Sequence, residues 1–137
     1  MKVLVCGSRN WFDEQTLWDW LDQLLPHPTM IIHGDAPGAD YLAGLWAKTS
    51  GIIEVKVPAQ WAAHGKAAGP MRNGEMLRLD PDFVVAFPLG ESRGTKNMMM
   101  QARRLGVPVI DATQTAPKEV IEQTTFDQES LGLKLGL

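Results

Sequence analysis

The sequence predicts a single Rossmann-like α/β domain of three layers, with a mainly parallel sheet of about five strands. Short, continuous apolar runs recur along the 137-residue chain, and such runs suit strands buried on both faces of a sheet. Segments with apolar residues at helical spacing, joined by short links, separate these runs. This alternation is typical of βαβ units, in which helices cover a parallel sheet.

The apolar runs predict five strands, and the last of them contains a proline. Because Pro108 has no N–H group, this run is expected at the edge of the sheet or at the start of a strand. The predicted strands are residues 2–6, 29–33, 52–57, 83–87 and 107–111.

Apolar spacings of three and four predict helices over residues 13–25, 38–50, 70–79 and 94–105. Asp13 is expected to cap the first helix, Gly51 to end the second and Pro70 to open the third. Residues 59–69 lack a clear period and predict a long loop that can include one helical turn. The predicted core positions on these helices are Leu17, Trp18, Leu21, Leu24, Leu25, Leu42, Leu45, Trp46, Met76, Leu77 and Leu79.

The pattern divides the chain into a Rossmann-like domain, residues 1–112, and a C-terminal extension, residues 113–137. Within the extension, residues 117–123 fit a short helix. The alternating leucines from Leu131 to Leu137 fit a terminal strand or an arm onto a second subunit, and a partly disordered tail is an equal alternative. Five tryptophans and seven methionines, three of them at 98–100, exceed the needs of a small core, so a homo-oligomer is expected.

The composition excludes several classes of protein. A net charge of −3 argues against electrostatic binding of nucleic acid over a broad face, although a local basic pocket is compatible with it. The single cysteine, Cys6, offers neither an internal disulfide nor a metal cluster, and neither a metal nor a cofactor is expected. The chain has no apolar run long enough for a membrane span and no secretory signal, so the cytoplasm is the expected compartment.

Three predicted strands end in loops of ligand-binding character. These loops are Gly7-Ser8-Arg9, residues 34–40 (GDAPGAD) and residues 90–95 (GESRGT). The carboxyl ends of parallel strands lie at one edge of the sheet, where open α/β sheets bind ligands. The three loops are therefore predicted to form one site, although no GxGxxG dinucleotide fingerprint is present.

The third loop has the features of an anion cradle. It leads from a buried strand into a helix N-terminus, whose unpaired N–H groups and dipole favour negative charge. Gly90 and Gly94 allow the backbone to approach a ligand, Thr95 adds a hydroxyl, and Arg93 and Lys96 add positive charge.

Each candidate residue has an alternative structural role. Arg9 can be a solvated charge, Gly34 and Gly38 can serve helix packing, and Asp35 and Asp40 can be helix caps. Residues 61–73 can cover a nucleobase and its phosphate, or Trp61 can pack on the core while the charges, including His64, face water. The predicted ligand-binding set is Gly7, Ser8, Arg9, Gly34, Asp35, Gly38, Ala39, Asp40, Trp61, Arg72, Asn73, Gly90, Gly94 and Thr95.

As an ordered set, these motifs resemble the YspA-like, cpYpsA-related branch of the SLOG superfamily. Its members are Rossmann-like proteins related to the DNA-processing SMF domain and to the LOG, or lysine-decarboxylase-like, phosphoribohydrolases. The resemblance implies a nucleotide or nucleotide-derived ligand that lies across the three loops. The matching pieces are VCGSR (5–9), IIHGDAPGAD (31–40), Trp46-Ala47, PAQW (58–61), HGKAAGPMRN (64–73) and DFVVAFPLGESRGTKNM (82–98).

One departure from the hydrolase relatives bears on activity. Their PGGxGTxxE motif has a glutamate where this chain has Met98, and a methionine cannot polarise water as a carboxylate can. This replacement favours a ligand-binding sensor or sequestering protein over an enzyme. The alternatives are an N-glycosidic hydrolase of nucleoside phosphates, with Asp35, Asp40 or Glu91 as the catalytic carboxylate, and a nucleic-acid-binding module.

Overall fold

The computed structural model describes residues 1–117 and shows a five-stranded parallel sheet of order β3-β2-β1-β4-β5. Every neighbouring pair of strands is parallel. The predicted fold class and all five predicted strands are confirmed. The strands are β1 (Lys2–Gly7), β2 (Met30–His33), β3 (Ile53–Lys56), β4 (Phe83–Phe87) and β5 (Val109–Asp111).

The last strand lies at the edge of the sheet, as its proline predicted. Within residues 1–117, β5 pairs only with β4, and Pro108 lies just before its first residue. The Pro108 carbonyl accepts a hydrogen bond from the Val84 N–H group at 2.9 Å, so proline contributes the acceptor that it retains.

The helices are α1 (Glu14–Gln23), α2 (Ala39–Thr49), α3 (Trp61–His64), α4 (Ala68–Leu77) and α5 (Arg93–Arg104). Asp13 caps α1 as predicted, because its carboxylate accepts from the Thr16 N–H group at 3.1 Å. The helix ends two residues earlier than predicted, at Gln23. Leu24 is already extended, and the prolines at 26 and 28 disfavour further helix.

The prediction of a long loop over residues 59–69 is wrong for most of this segment. It contains α3, a 3-10 turn (Gly65–Ala67) and the start of α4. Alanine-rich sequence favours helix, but α3 buries none of its side chains, so it carries no apolar period. Pro70 is consequently the third residue of α4 instead of the first, a position that still lies in the first turn.

Two apolar clusters flank the sheet and make the three layers. On one face Val3, Val5 and Phe83 pack with residues of α1 and α2, including Trp20 and Trp46. On the other face Leu4, Ile32 and Val84 pack with residues of α4 and α5. Successive side chains of the buried strands therefore alternate between the two clusters.

Some predicted core positions are wrong. Leu25 and Leu79 are 42% and 38% exposed, because each lies beyond the end of its helix. Trp20, which the apolar spacing did not select, is fully buried. Met98 and Met99 are buried and Met100 is exposed. Since Trp11, Trp20 and Trp46 all lie in the core of the single chain, the homo-oligomer stays a prediction.

The C-terminal extension is described only to residue 117. Its first residues form a turn in which the Asp111 carboxylate accepts from the Thr113 N–H group at 2.9 Å. The predicted helix over residues 117–123, beyond its first residue, and the alternating leucines lie outside the described residues. Among residues 1–117, no helix is long and apolar enough to cross a membrane.

The topology places a crevice at the end of β1. The chain runs from central β1 outward through β2 to β3, and then returns to β4 on the other side of β1. At such a reversal of strand order, the following loops diverge to opposite faces and leave a ligand-sized gap. Gly7 ends β1 at this point, and a Cβ there would lie 2.6 Å from the Ala39 Cβ and 2.8 Å from the Phe87 oxygen.

We expect Gly7→Ala to lower the free energy of unfolding by about 1–3 kcal/mol, since neither the start of α2 nor β4 can retreat from an added methyl group. Urea denaturation measures this loss. The control is Gly94→Ala, whose Cβ meets no atom within 4 Å and which should cost nothing. A wild-type urea midpoint for Gly7→Ala would contradict the prediction.

Candidate functional site

The three glycine loops meet around one cavity of about 460 Å³ at the carboxyl edge of the sheet. The segment from α3 to α4 closes its remaining side. Eleven of the predicted ligand-binding residues line it: Gly7, Ser8, Arg9, Gly34, Asp35, Asp40, Trp61, Arg72, Asn73, Gly94 and Thr95.

Gly38, Ala39 and Gly90 belong to the same loops but do not line the cavity. Glu91, one of the candidate carboxylates, also lies outside the lining and makes an exposed ion pair with Arg93 at 3.3 Å. The lining includes residues that sequence reasoning did not select, several of them with no polar side chain to mark them. These residues are Cys6, Asn10, Ala36, Pro37, Met76 and Ser92, whereas Arg93, which also lines the cavity, was predicted as part of the anion cradle.

The first two loops are locked together by close backbone contact. The Ala39 N–H group donates to the Ser8 carbonyl at 3.2 Å. Gly38 has a φ of +81°, and a Cβ there would lie 2.3 Å from the Ser8 oxygen, so only glycine fits. The packing role considered for Gly38 is thereby confirmed, and Arg9 is left exposed at the rim of the cavity.

Asp40 stabilises the second loop by accepting hydrogen bonds from its backbone. It is the second residue of α2 and is 6% exposed, and its Oδ2 accepts from the Gly34 N–H at 2.9 Å and the Ala36 N–H at 3.3 Å. Burial raises the pKa of the Asp40 carboxyl, although the two N–H groups and the charge of Arg72 oppose that rise. Asp40 therefore fastens the preceding loop instead of capping the helix.

A buried histidine supports the same loop. His33, the last residue of β2, is 1% exposed, and its Nε2 lies 2.6 Å from Glu54 Oε2 on β3. Its Nδ1 accepts from the Asp35 N–H group at 3.0 Å. Because Nδ1 accepts, the ring proton sits on Nε2 and is donated to the Glu54 carboxylate.

Arg72 and Asn73 join the second loop to the third. The Arg72 guanidinium donates to the Gly34 carbonyl at 2.6 Å and to the Asn73 side-chain oxygen at 3.1 Å. The Asn73 amide then donates to the Gly94 carbonyl at 3.3 Å and to Asn97 at 3.1 Å. Asn73 is buried, so these bonds fix the start of α5 relative to α4.

The N-terminus of α5 faces the cavity through Ser92, Arg93, Gly94 and Thr95. Ser92 is left-handed, with a φ of +40°, and no side chain caps the helix. The first intrahelical bond runs from the Lys96 N–H to the Ser92 carbonyl, so the N–H groups before Lys96 have no partner within the helix. The structure thus places an electropositive helix end at the cavity, as an anion cradle requires.

Trp61 forms an exposed wall. It is 55% exposed and lines the cavity, so the alternative in which it packs on the core is wrong. Its ring lies beside Gly69 of α4, where a Cβ would come within 3.3 Å of the Trp61 Cη2 atom. The indole is thereby supported on one side and open on the other.

Two further positions bear on chemistry. Met98 is fully buried in the cluster beneath α5 and does not reach the cavity. Cys6 lines the floor of the cavity, but burial raises the pKa of its thiol and makes it unreactive. Within residues 1–117, no group of three His, Cys, Asp or Glu residues is placed to hold a metal ion.

Comparison with known proteins assigns the family. The profile of the YspA, cpYpsA-related SLOG family (YAcAr) matches residues 1–64. The Gene 61 protein of Mycobacterium phage D29 is 42% identical over an alignment of 118 residues, and the match covers 80% of this chain and 94% of that protein. The chain belongs to this SLOG family. Among solved structures, DNA processing protein A (DprA) from Streptococcus pneumoniae matches this SLOG protein with a TM-score of 0.48 and 17% identity, over 88% of this chain and 60% of that one.

The His33–Glu54 pair predicts a pH-dependent stability. Burial opposes ionisation of Glu54, but the hydrogen bond from His33 and the charges of Lys48 and Lys56 lower the pKa of its carboxyl below the usual 4.5. A lowered pKa means that ionised Glu54 stabilises the fold above pH 4.5, and that this stabilisation is lost as the pH falls below it. We expect Glu54→Gln to cost about 1 kcal/mol at neutral pH and little at about pH 3.5.

Urea denaturation of both proteins at the two pH values measures the difference. The matched control is Glu75→Gln on α4, because Glu75 is exposed and makes no hydrogen bond or ion pair within the described residues. A destabilisation by Glu54→Gln that is equal at both pH values would contradict the assignment.

Proposed function

We propose that this SLOG protein binds a nucleotide or nucleotide-derived ligand in the cavity, as a sensor or sequestering protein. The observation that supports this most is the convergence of the three loops, which surround about 460 Å³ with a basic end and an aromatic wall. Small-molecule sites typically enclose roughly 300–1,000 Å³. The cavity is therefore of the right size for a ligand built on one nucleotide.

The basic end suits a phosphate. The N-terminus of α5 offers backbone N–H groups and the positive end of its dipole, and Arg9 and Arg93 contribute guanidinium groups at the rim. Arg72 adds a third positive charge, although two of its donors are already used by Gly34 and Asn73. These groups favour an anion at the end of the cavity nearest α5.

The aromatic wall suits a base. The open face of Trp61 can stack on a nucleobase, an interaction worth about 1–3 kcal/mol per base that tolerates any of the bases. A phosphate at α5 and a base on Trp61 would lie at different sides of the same cavity, which both groups line.

Binding is favoured over bond cleavage because the residue at the position of the hydrolase glutamate is a buried methionine. N-glycosidic hydrolysis remains the second candidate, and one observation favours it. The raised pKa of the buried Asp40 carboxyl at the cavity suits a group that exchanges protons with a substrate.

Isothermal titration calorimetry with AMP, ADP-ribose, NAD and cyclic nucleotides tests the proposal. We expect saturable binding of at least one of them, weakened by roughly tenfold or more in Arg9→Ala through the loss of a charged hydrogen bond. Arg104→Ala is the matched control, because Arg104 is an exposed arginine in the last turn of α5, at the end remote from the cavity.

Binding of none of these compounds, or an equal loss in Arg9→Ala and Arg104→Ala, would reject the proposal. Chromatography of the same AMP samples after incubation decides between binding and hydrolysis. Free adenine above the protein-free blank would establish the hydrolase, and its absence beside saturable binding supports a binding protein.

A further inference from the structure

One oxygen of the buried Asp40 carboxylate is uncommitted. Both hydrogen bonds to this side chain, from the Gly34 and Ala36 N–H groups, end on Oδ2. No group among residues 1–117 donates to Oδ1, and no ion pair in this part of the chain includes Asp40. Since the described residues contain no buried polar side-chain atom without a partner, Oδ1 reaches the open space of the cavity that Asp40 lines.

An oxygen in this position calls for a hydrogen-bond donor. Asp40 is 6% exposed, and a ligand that fills the cavity displaces the water at Oδ1, which leaves this carboxylate oxygen unpaired at a cost unless the ligand supplies a donor. The charge next to it, Arg72, is already held by the Gly34 carbonyl and Asn73. A phosphate against the ionised carboxylate would bring two negative charges together, so a phosphate is disfavoured at Oδ1. The ligand atom at Oδ1 is therefore a donor.

The position of Asp40 relative to the anion cradle narrows the choice of donor. The Asp40 carboxylate accepts from the Gly34 N–H group directly after β2, the cradle follows β4, and β1 separates these two strands. Adjacent strands lie about 4.8 Å apart, so the two loops begin roughly 10 Å from each other. A sugar phosphate with a hydrogen bond at each end covers this distance, and a ribose hydroxyl is the first donor that follows the phosphate.

Building on the proposed function, we infer that Asp40 Oδ1 accepts a hydrogen bond from a ribose hydroxyl of the bound ligand. Asp40 is then a specificity-determining residue that makes the site select ribonucleotides over nucleotides whose sugar lacks that hydroxyl. Thr95 is 5% exposed and lies at the other side of β1. In this arrangement it contacts the phosphate end of the ligand and does not distinguish one sugar from another.

The test is calorimetric titration with AMP, GMP, CMP and UMP, each beside its 2′-deoxy and 3′-deoxy counterpart. Wild type should bind the best ribonucleotide roughly tenfold or more tightly than at least one of its deoxy counterparts. Asp40→Asn keeps an oxygen for the Gly34 and Ala36 N–H groups but presents an NH2 group in place of Oδ1. Because a ribose hydroxyl can also accept from this NH2 group, the variant keeps only a weaker, uncharged hydrogen bond to the sugar, and its preference for the ribonucleotide should fall by at least about threefold.

Thr95→Val is the control, and it should weaken ribonucleotide and deoxynucleotide binding by the same factor. Equal wild-type affinity for all sugars, or an undiminished sugar preference in a folded Asp40→Asn, overturns the inference while the proposed function stands. If wild type distinguishes the bases but not the sugars, and Asp40→Asn loses that distinction, Asp40 contacts the base and the inference is also overturned. If no nucleotide binds, the proposed function and this inference fall together.

Discussion

The site depends on how closely the start of α2 approaches the end of β1. The Ala39 N–H group reaches the Ser8 carbonyl, and the absence of side chains at Gly7 and Gly38 leaves room for the contact. This contact seats the second loop beside the first and brings Asp40 underneath it. Ser8 also donates its own N–H group to the Phe87 carbonyl of β4 at 2.9 Å. The position of the third loop, which follows β4, is therefore fixed relative to the first two loops.

The fold was predictable because the three central strands, β1, β2 and β4, are buried on both faces and their sequences are continuous apolar runs. The loops were predictable as a group because the carboxyl ends of parallel strands share one edge. What the sequence did not predict depends on register and on loop paths. His33 contacts Glu54 only because β2 and β3 pair in parallel with His33 opposite Lys56. His33 and Glu54 are 21 positions apart in the sequence, so their contact depends on this register. Likewise, nothing in the GPMRN segment indicates that Arg72 turns to the Gly34 carbonyl.

The error over residues 59–69 has a related cause, because a helix without an apolar pattern is not predictable from the sequence. α3 has no buried face, since none of its side chains is buried. A search for apolar residues at helical spacing therefore cannot detect this helix. Its importance lies in holding Trp61 over the cavity. The segment with the weakest sequence pattern thus supplies the aromatic wall, while the strongest patterns supply only the framework.

The bonding of the cavity residues divides them into a fixed frame and a variable rim. Asp40, Arg72 and Asn73 each bind loop backbone, so a substitution that removes one of these hydrogen bonds disturbs the walls themselves. Arg9 and Trp61 line the same space, yet their side chains make no hydrogen bond within residues 1–117. Evolution can therefore exchange the rim without rebuilding the frame, and proteins of this architecture can diverge in the molecule they recognise while keeping one shape.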